Sequence, residues 1–358
     1  MCSARDALPT RLVGVYLKNG QIFLSLPPCH PSILSPSFTM SSSKIYEPLP
    51  PPSGKKDSSQ PPLTPEQTKL QADVLAHFVK SGYVIPGVQD GQLTEEEKFW
   101  LSYECQLRYL RATKWKSADA CIQRIESTLK WRREFGIYDK ITSSYIEPEA
   151  VTGKEILFGY DTYGRPAFYM IPSRQNTNEA TRQVEFAVWM LERAIDLMDE
   201  GVESLDLLIN FADKAKNPSL STARKVLSIL QNHYPERLGK ALVINVPYLV
   251  NMFFNMITPF IDPVTVKKLN FNIDVVKDGL FESDQVMKEW WGGIQDFEYQ
   301  HDKYWSALNG MCERRKKEWM ENWRKLGGKI GTSEKAYKTG KTAEAQAEPV
   351  PDSEKTEA

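Results

Sequence analysis

Residues 204–246 read SLDLLINFADKAKNPSLSTARKVLSILQNHYPERLGKALVINV. Two short runs rich in Leu, Ile and Val, LDLLINF and KALVINV, have the composition of buried strands. Between them, SLSTARKVLSILQNHY has its apolar residues at helical spacing. A strand, a helix and a second strand in this order form the crossover unit of a parallel sheet. The stretch therefore predicts an α/β fold.

Strand and helix signals continue on both sides of this unit. KEILFGYDTYGRPAFYM (154–170) holds two strand-like runs around a turn at Tyr163-Gly164, and a long helix follows and ends at Gly201. After KALVINV, the segments YLVNMFFNMI and KLNFNID predict a further helix and strand. We expect a mostly parallel sheet within residues 149–300.

The segment before the sheet is helical in pattern. Thr64 is a candidate N-cap, and Thr94 with Glu97 forms a capping box in front of Phe99, Tyr103, Leu107 and Leu110. A further helix is predicted from Ser117 to Gly136. Residues 64–148 are thus expected to be a helical lobe, and residues 301–332 a C-terminal helix.

Both ends of the chain are expected to be disordered tails, over residues 1–63 and 333–358. The first is dense in Pro and Ser, and the second ends in KTAEAQAEPVPDSEKTEA. Met40 opens MSSSKIYEPLPPP, which is typical of a natural start, so we hypothesise that residues 1–39 arise from the assignment of the start codon.

Composition excludes several classes of function. The formal net charge of −1 in 358 residues disfavours nucleic-acid binding, and no apolar run is long enough to span a bilayer. The five cysteines lack CxxC spacing, which favours reduced thiols in the cytoplasm and disfavours a metal site. GxSxG, HExxH and GxxxxGK[ST] motifs are missing, and the few histidines are scattered, so the pattern disfavours an enzyme.

The segment from Tyr248 to Thr258 is unusually apolar for one helix. Asn251, Asn255 and Thr258 form one narrow polar stripe, and apolar residues occupy the rest of the circumference. A helix that is packed on one side needs an apolar arc of only about 100°. Two interpretations follow: a fully buried core helix, or a lid that packs on protein and also borders a lipid-filled cavity or a membrane.

Several ordered motifs resemble one family. CQLRYLRATKW, TLKWRREFG, YGRPAFYM, LLINFAD, HYPERLGKALVINVP and PFIDPVTVKKL occur in the order typical of CRAL-TRIO lipid-binding proteins. The chain is most similar to the fungal Sec-fourteen-like phosphatidylinositol transfer proteins of the azole-tolerance branch, over roughly residues 64–332. The resemblance implies a helical lobe and an α/β lobe whose sheet floors an apolar pocket closed by a gating helix, with bound lipid and no cofactor.

The resemblance also assigns residues to the phosphatidylinositol headgroup and to the gate. Glu236 and Lys268 match the pair that holds the headgroup, Thr265 matches a phosphate contact, and Arg108 and Arg111 are further candidates for the phosphate. The family has a basic residue where this chain has Thr113. An ordinary Glu236–Lys268 ion pair is the alternative. The predicted gate and acyl-pocket residues are Leu249, Met252, Phe253, Phe254, Met256, Ile257 and Phe260.

Phe168 stands where phosphatidylcholine-binding members have a tyrosine, and Phe211 lies in a segment without their usual Ser/Thr pattern. A site without its hydrogen-bonding groups rejects the ligand that needs them. The resemblance therefore implies a second, less polar ligand in a pocket at Phe168 and Phe211, a sterol rather than phosphatidylcholine. The alternative is that other residues supply the missing donors.

The implied function is exchange of phosphatidylinositol between membranes by a cytoplasmic protein. Its association with membranes would be peripheral and transient, at the endoplasmic reticulum, the cell periphery or lipid droplets. The alternative is a sensor that presents the lipid to enzymes such as phosphoinositide kinases. Trp319 and Trp323 in the last helix, near a basic run, suit either membrane docking or internal packing.

Overall fold

The computed structural model describes residues 15–18, 21–24, 44–52, 61–212, 220–247, 252 and 258–341. The chain forms two units, Met1–Ser42 and Ser43–Ala358. In the first, β1 (Val15–Lys18) pairs with β2 (Gln21–Leu24) as an antiparallel hairpin. The prediction of a disordered tail was wrong for these strands. Each strand has three consecutive apolar or aromatic residues, and Asn-Gly, the pair between them in the sequence, is favoured in two-residue hairpins.

The second unit begins with a helical lobe. Its helices are α1 (Pro65–Phe78), α2 (Glu95–Trp100), α3 (Tyr103–Ala112), α4 (Ala118–Phe135) and α5 (Ser143–Ala150). The capping boxes at Thr64 and Thr94 are both present. The single helix predicted after Thr94 is divided, because Leu101 leaves helical backbone at ψ 47° and Ser102 caps α3.

A five-stranded sheet follows the helical lobe, with its strands in the order of the sequence. The edge strand is antiparallel to its neighbour, and the other pairs are parallel, as predicted. The strands are β3 (Glu155–Tyr160), β4 (Pro166–Met170), β5 (Leu205–Asn210), β6 (Leu238–Ile244) and β7 (Leu269–Phe271). Helices α6 (Ala180–Asp196) and α7 (Leu220–His233) precede β5 and β6.

The two faces of this sheet differ in burial. On one face Ile156, Tyr169, Leu208 and Leu242 are at most 1% exposed. On the other, cross-strand partners form two rows that are buried at β3 and become half-buried or exposed at β7, where Phe271 is 42% exposed. We call this second face the partly covered face. Its residues are Glu155, Leu157, Phe168, Met170, Leu207, Ile209, Ala241, Val243, Leu269 and Phe271.

The remaining helices follow the sheet. They are α8 (Pro263–Val266), a kinked α9 (Lys288–Trp291), α10 (His301–Lys325) and α11 (Glu334–Thr339), and short 3₁₀ turns lie at Pro172–Arg174, Thr258–Phe260 and Ser283–Gln285. In α10, Trp319 and Trp323 are buried, and Trp323 lies edge-on to Phe99, which supports the packing interpretation. None of the helices described is long and apolar enough to cross a bilayer.

The predicted tails were also wrong at two places in the second unit. Helix α11 lies within the C-terminal tail predicted at 333–358, and its Glu334 and Tyr337 are buried. In the N-terminal tail, Ile45 forms a β-bridge to Phe297. Each segment has a few apolar or charged side chains with distant partners, which composition alone cannot reveal. Residues 342–358 lie outside the described part of the chain.

Candidate functional site

A cavity of about 230 Å³ lies at the amino ends of four neighbouring strands. Arg165 directly precedes β4, Ser204 precedes β5, Leu238 begins β6 and Lys268 precedes β7. Because parallel strands bring their amino ends to one edge, these residues meet there although they are distant in sequence. The cavity is lined by Arg111, Tyr163, Arg165, Gly201, Val202, Glu203, Ser204, Glu236, Leu238, Gly239 and Lys268.

Three of the predicted headgroup residues meet at this cavity. Arg111 donates hydrogen bonds to two carboxylates. Its Nε lies 3.2 Å from Glu236 Oε2, and its Nη2 lies 2.9 Å from Glu203 Oε2. Lys268 Nζ donates to the Leu238 carbonyl oxygen at 2.5 Å. Glu236 and Lys268 form no direct ion pair among the described contacts. The geometry therefore does not favour the alternative of an ordinary Glu236–Lys268 pair.

Glu236 and Lys268 differ in backbone conformation and in burial. Glu236 has φ +63°, in the left-handed region that non-glycine residues rarely adopt, in the turn between α7 and β6. Its side chain is 40% exposed at the cavity. Burial lowers the pKa of Lys268, whereas the nearby Glu236 carboxylate raises it and Arg165 lowers it. A partly desolvated ammonium attracts an anion more strongly than one in bulk water.

Arg165 is a cavity cation that the sequence did not single out. Its Nη1 lies 3.7 Å from Asp161 Oδ2 and 3.9 Å from Asp206 Oδ1, and its guanidinium lies over the Tyr163 ring at 5.0 Å. Burial and the adjacent Asp161 raise the pKa of Asp206 to about 7, although Arg165 opposes this. The available signal was the position of Arg165 in GRP, immediately before a predicted strand.

Gly239 keeps the floor of the cavity open. A Cβ atom at this position would lie 2.4 Å from Asp206 Oδ1 and 2.9 Å from Arg165 Cδ. Real Cβ atoms do not approach other atoms this closely, so any side chain here would move the Arg165 side chain or the Asp206 carboxylate. The site therefore requires glycine for close packing.

Arg108 and Thr265 do not line the cavity. The Arg108 side chain is only 4% exposed, and its guanidinium pairs with Glu203 at 2.9 Å and with Glu334 at 2.5 Å. Both ends of the Arg108 guanidinium are bound inside the protein, so this structure does not bring Arg108 together with the other predicted headgroup residues. Thr265 lies in α8, where its carbonyl accepts a hydrogen bond from the Lys268 amide at 3.0 Å.

Most of the predicted gate lies outside the described residues. This applies to Leu249, Phe253, Phe254, Met256 and Ile257. The two described members of the predicted gate and acyl pocket, Met252 and Phe260, are both 48% exposed. The Arg224 guanidinium lies 4.2 Å from the centre of the Phe260 ring, which places a cation beside an exposed aromatic residue.

The two residues predicted to contact the second ligand, Phe168 and Phe211, lie on or next to the partly covered face. Phe168 lies between Leu157 and Leu207 in one cross-strand row of the partly covered face. Phe211 continues that side past the end of β5 and packs in a small cluster with Val243. Both phenylalanines are 5% exposed. The row through Phe168 contains no hydroxyl group.

Each of the three histidines in the described region contacts a glutamate or an aromatic side chain. His77 and His301 pair with Glu126 and Glu147, at 2.9 and 3.0 Å. His233 stacks on Trp131 at 4.2 Å, and burial, aided by nearby arginines, lowers its pKa to about 4. None of the three lines the cavity.

Comparison with known families identifies the class of the chain. Residues 150–293 match the CRAL/TRIO domain, and residues 72–127 match the CRAL/TRIO N-terminal domain. The chain belongs to the CRAL-TRIO family, and the resemblance found in its motifs is confirmed. The two matches coincide with the sheet-containing and helical regions described above.

Two of the relatives each cover about three quarters of this chain. It is 46% identical over 283 residues to the CRAL-TRIO domain-containing protein C23B6.04c of Schizosaccharomyces pombe, covering 78% of this chain but only 28% of that protein. It is 36% identical over 298 residues to the phosphatidylinositol transfer protein PDR17 of Saccharomyces cerevisiae, covering 76% of this chain and 83% of the relative. Among solved structures, Sfh5 aligns with a TM-score of 0.46 and 18% identity, over 66% of this chain and 88% of that one.

Proposed function

We propose that this protein binds phosphatidylinositol, with the headgroup in the cavity at the amino ends of the strands, and exchanges it between membranes. The observation that carries the proposal is the convergence of Glu236, Lys268 and Arg111 on one cavity. The similarity to a protein described as a phosphatidylinositol transfer protein supports it independently.

The cavity has groups suited to both parts of an inositol phosphate. Arg111, Arg165 and Lys268 are cations that can hold a phosphodiester through charge-assisted hydrogen bonds. Glu236, which is partly exposed, is an acceptor for inositol hydroxyls. Thr265, three residues before Lys268, is proposed as a further contact to the phosphate.

The acyl chains would lie over the partly covered face. Transfer through water exposes each methylene at a cost of about 0.8 kcal/mol, so two long chains cost on the order of 20 kcal/mol. A protein that covers the chains removes this cost during transit. We propose that residues 248–260 act as the gate, opening at a membrane and exposing residues such as Met252 and Phe260.

The second ligand is proposed to be a sterol. Phe168 and Phe211 offer no hydroxyl to a choline phosphate, and the neighbouring Leu157 and Leu207 are apolar as well. A flat apolar molecule fits such a surface better than a zwitterionic headgroup does. Competition between labelled sterol and phosphatidylcholine for the purified protein measures this preference directly.

We further propose that the protein catalyses no reaction and works in the cytoplasm, associating peripherally and transiently with membranes of the endoplasmic reticulum, cell periphery or lipid droplets. Its partners would then be lipid surfaces. The second candidate, presentation of bound phosphatidylinositol to phosphoinositide kinases, rests on the exposed Glu236 at the cavity. It predicts stoichiometric binding without turnover.

Vesicle-to-vesicle transfer of labelled phosphatidylinositol tests the proposal. Replacing Glu236 and Lys268 together by alanine is expected to abolish transfer, and Lys267→Ala, an exposed neighbour, is the matched control. Unchanged transfer by the double variant would overturn the headgroup assignment. Binding by the parent protein without any transfer would favour the presenting function instead.

A further inference from the structure

Glu155, the first residue of β3, is a buried acid that the headgroup site does not use. It is 8% exposed, and its Oε2 atom has no hydrogen-bond partner in the described structure. It is also absent from the lining of the cavity. A buried polar atom without a partner is costly, so an unsatisfied oxygen in a native protein calls for an explanation.

The position of Glu155 in the sheet shows where its side chain lies. It is paired with Met170 across the antiparallel ladder, and Met170 is aligned with Ile209 and then Val243 across the parallel strands. Directly paired residues share a face. Glu155 is therefore the one polar member of this otherwise apolar row on the partly covered face, which is where a lipid is proposed to lie.

The protonation state of the Glu155 carboxyl group limits which ligand groups it can bind. Burial raises the pKa of Glu155 to about 8, while the nearby Lys154 ammonium opposes this rise and the Glu149 carboxylate adds to it. Lys154 is itself engaged by Glu149. A carboxyl group that is neutral near pH 7 can donate and accept one hydrogen bond each, but it cannot neutralise a phosphate or a quaternary amine.

We propose that the Glu155 carboxyl group is the polar anchor for an apolar lipid with a single hydroxyl group, bound against the partly covered face of the sheet. One neutral donor–acceptor in an apolar row matches one hydroxyl on an otherwise apolar molecule. A sterol and a diacylglycerol both present this chemistry. The inference rests on the proposed binding of lipid over this face, but it uses none of the headgroup residues.

A double cycle between protein and ligand tests this contact. Binding of a fluorescent sterol and of its 3-deoxy analogue is measured for the parent, Glu155→Leu and Glu155→Gln. A second arm uses a labelled diacylglycerol and the matched molecule without its hydroxyl. If Glu155 holds the hydroxyl, Glu155→Leu weakens binding of the hydroxylated ligand about tenfold and leaves the analogue unchanged. Glu155→Gln, which keeps hydrogen-bonding groups, should lose less.

The outcomes separate the two lipid sources and the two proposals. Coupling in only one arm identifies that lipid as the ligand. Equal losses for hydroxylated and deoxy ligands in both arms, or no binding of either lipid by the parent, would overturn the inference. If Glu155→Leu does not fold, Glu155→Gln with the same ligand pairs decides. The variant with both Glu236→Ala and Lys268→Ala tests the headgroup site separately. It is expected to lose phosphatidylinositol transfer and to keep the difference in binding between each hydroxylated ligand and its analogue.

Discussion

The ion pair between Arg132 and Glu192 joins the helical lobe to the sheet-containing region. Arg132 on α4 contacts both carboxylate oxygens of Glu192 on α6, at 2.8 and 3.2 Å. The Tyr234 hydroxyl donates to Glu192 at 2.7 Å, and the Tyr138 hydroxyl accepts from Arg132 at 2.7 Å. The Arg132 side chain is 4% exposed, so loss of its partner would leave a buried, unpaired charge.

The pKa of Glu192 gives the size of this interaction. Burial alone would raise it, but the charge and hydrogen bonds of Arg132 and the Tyr234 hydroxyl outweigh burial and lower it from 4.5 to about 2. A pKa lowered by this much corresponds to roughly 3 kcal/mol of stability. Because the native pKa is depressed, this contribution is complete above pH 4.5 and is lost as the pH falls towards 2.

Urea unfolding of the parent and of Glu192→Gln at pH 7 and pH 3 measures this contribution. At pH 7 the variant should lose about 3 kcal/mol, and at pH 3 the difference should shrink by about 2 kcal/mol. Glu321→Gln, on the exposed side of α10, is the matched control and should change little at either pH. A loss below about 1 kcal/mol at pH 7, or an equal loss at both pH values, would refute the reasoning.

Three further predictions concern other parts of the molecule. Gly239→Ala should weaken phosphatidylinositol binding with little loss of secondary structure, because its Cβ displaces Arg165 or Asp206; circular dichroism and a binding titration check this, and unchanged affinity would contradict it. Glu334→Ala removes one carboxylate partner of the buried Arg108 and should lower the free energy of unfolding by about 3 kcal/mol. Lys335→Ala, at an exposed neighbouring position, should leave it unchanged, and equal effects of the two variants would count against a structural role for α11. Because the pKa of Glu155 is raised in the folded protein, its contribution to stability is complete below pH 4.5 and declines as the pH rises towards 8. Glu155→Gln should therefore gain stability relative to the parent between pH 5 and pH 8. Unfolding free energies that change with pH in the same way for both proteins would contradict this prediction.

Local signals in the sequence predicted the elements well where their chemistry is local. Thr64 and Thr94 cap helices because their hydroxyls accept from amides three residues on. The turn at Tyr163-Gly164 separates two strands for a similarly local reason. The break at Leu101 was missed because helical spacing of apolar residues continues from Phe99 to Tyr103 across it.

Long-range partners decided the features that the sequence could not reveal. Arg108 and Arg111 are both cations in LRYLRATK, but only the structure shows that Glu334, far along the chain, holds Arg108 inside the protein. The Arg108–Glu334 ion pair also attaches α11 to the rest of the protein, although the composition of this segment predicts a disordered tail. Arg165 reaches the cavity only because the sheet brings the amino ends of its strands together.

Native mass spectrometry of the protein loaded with phosphatidylinositol tests the central claim most directly. The parent and Lys267→Ala are each expected to carry one phosphatidylinositol molecule, and the variant with both Glu236→Ala and Lys268→Ala is expected to carry none while remaining folded. Retention of phosphatidylinositol by the folded double variant would contradict the assignment of the cavity as the headgroup site.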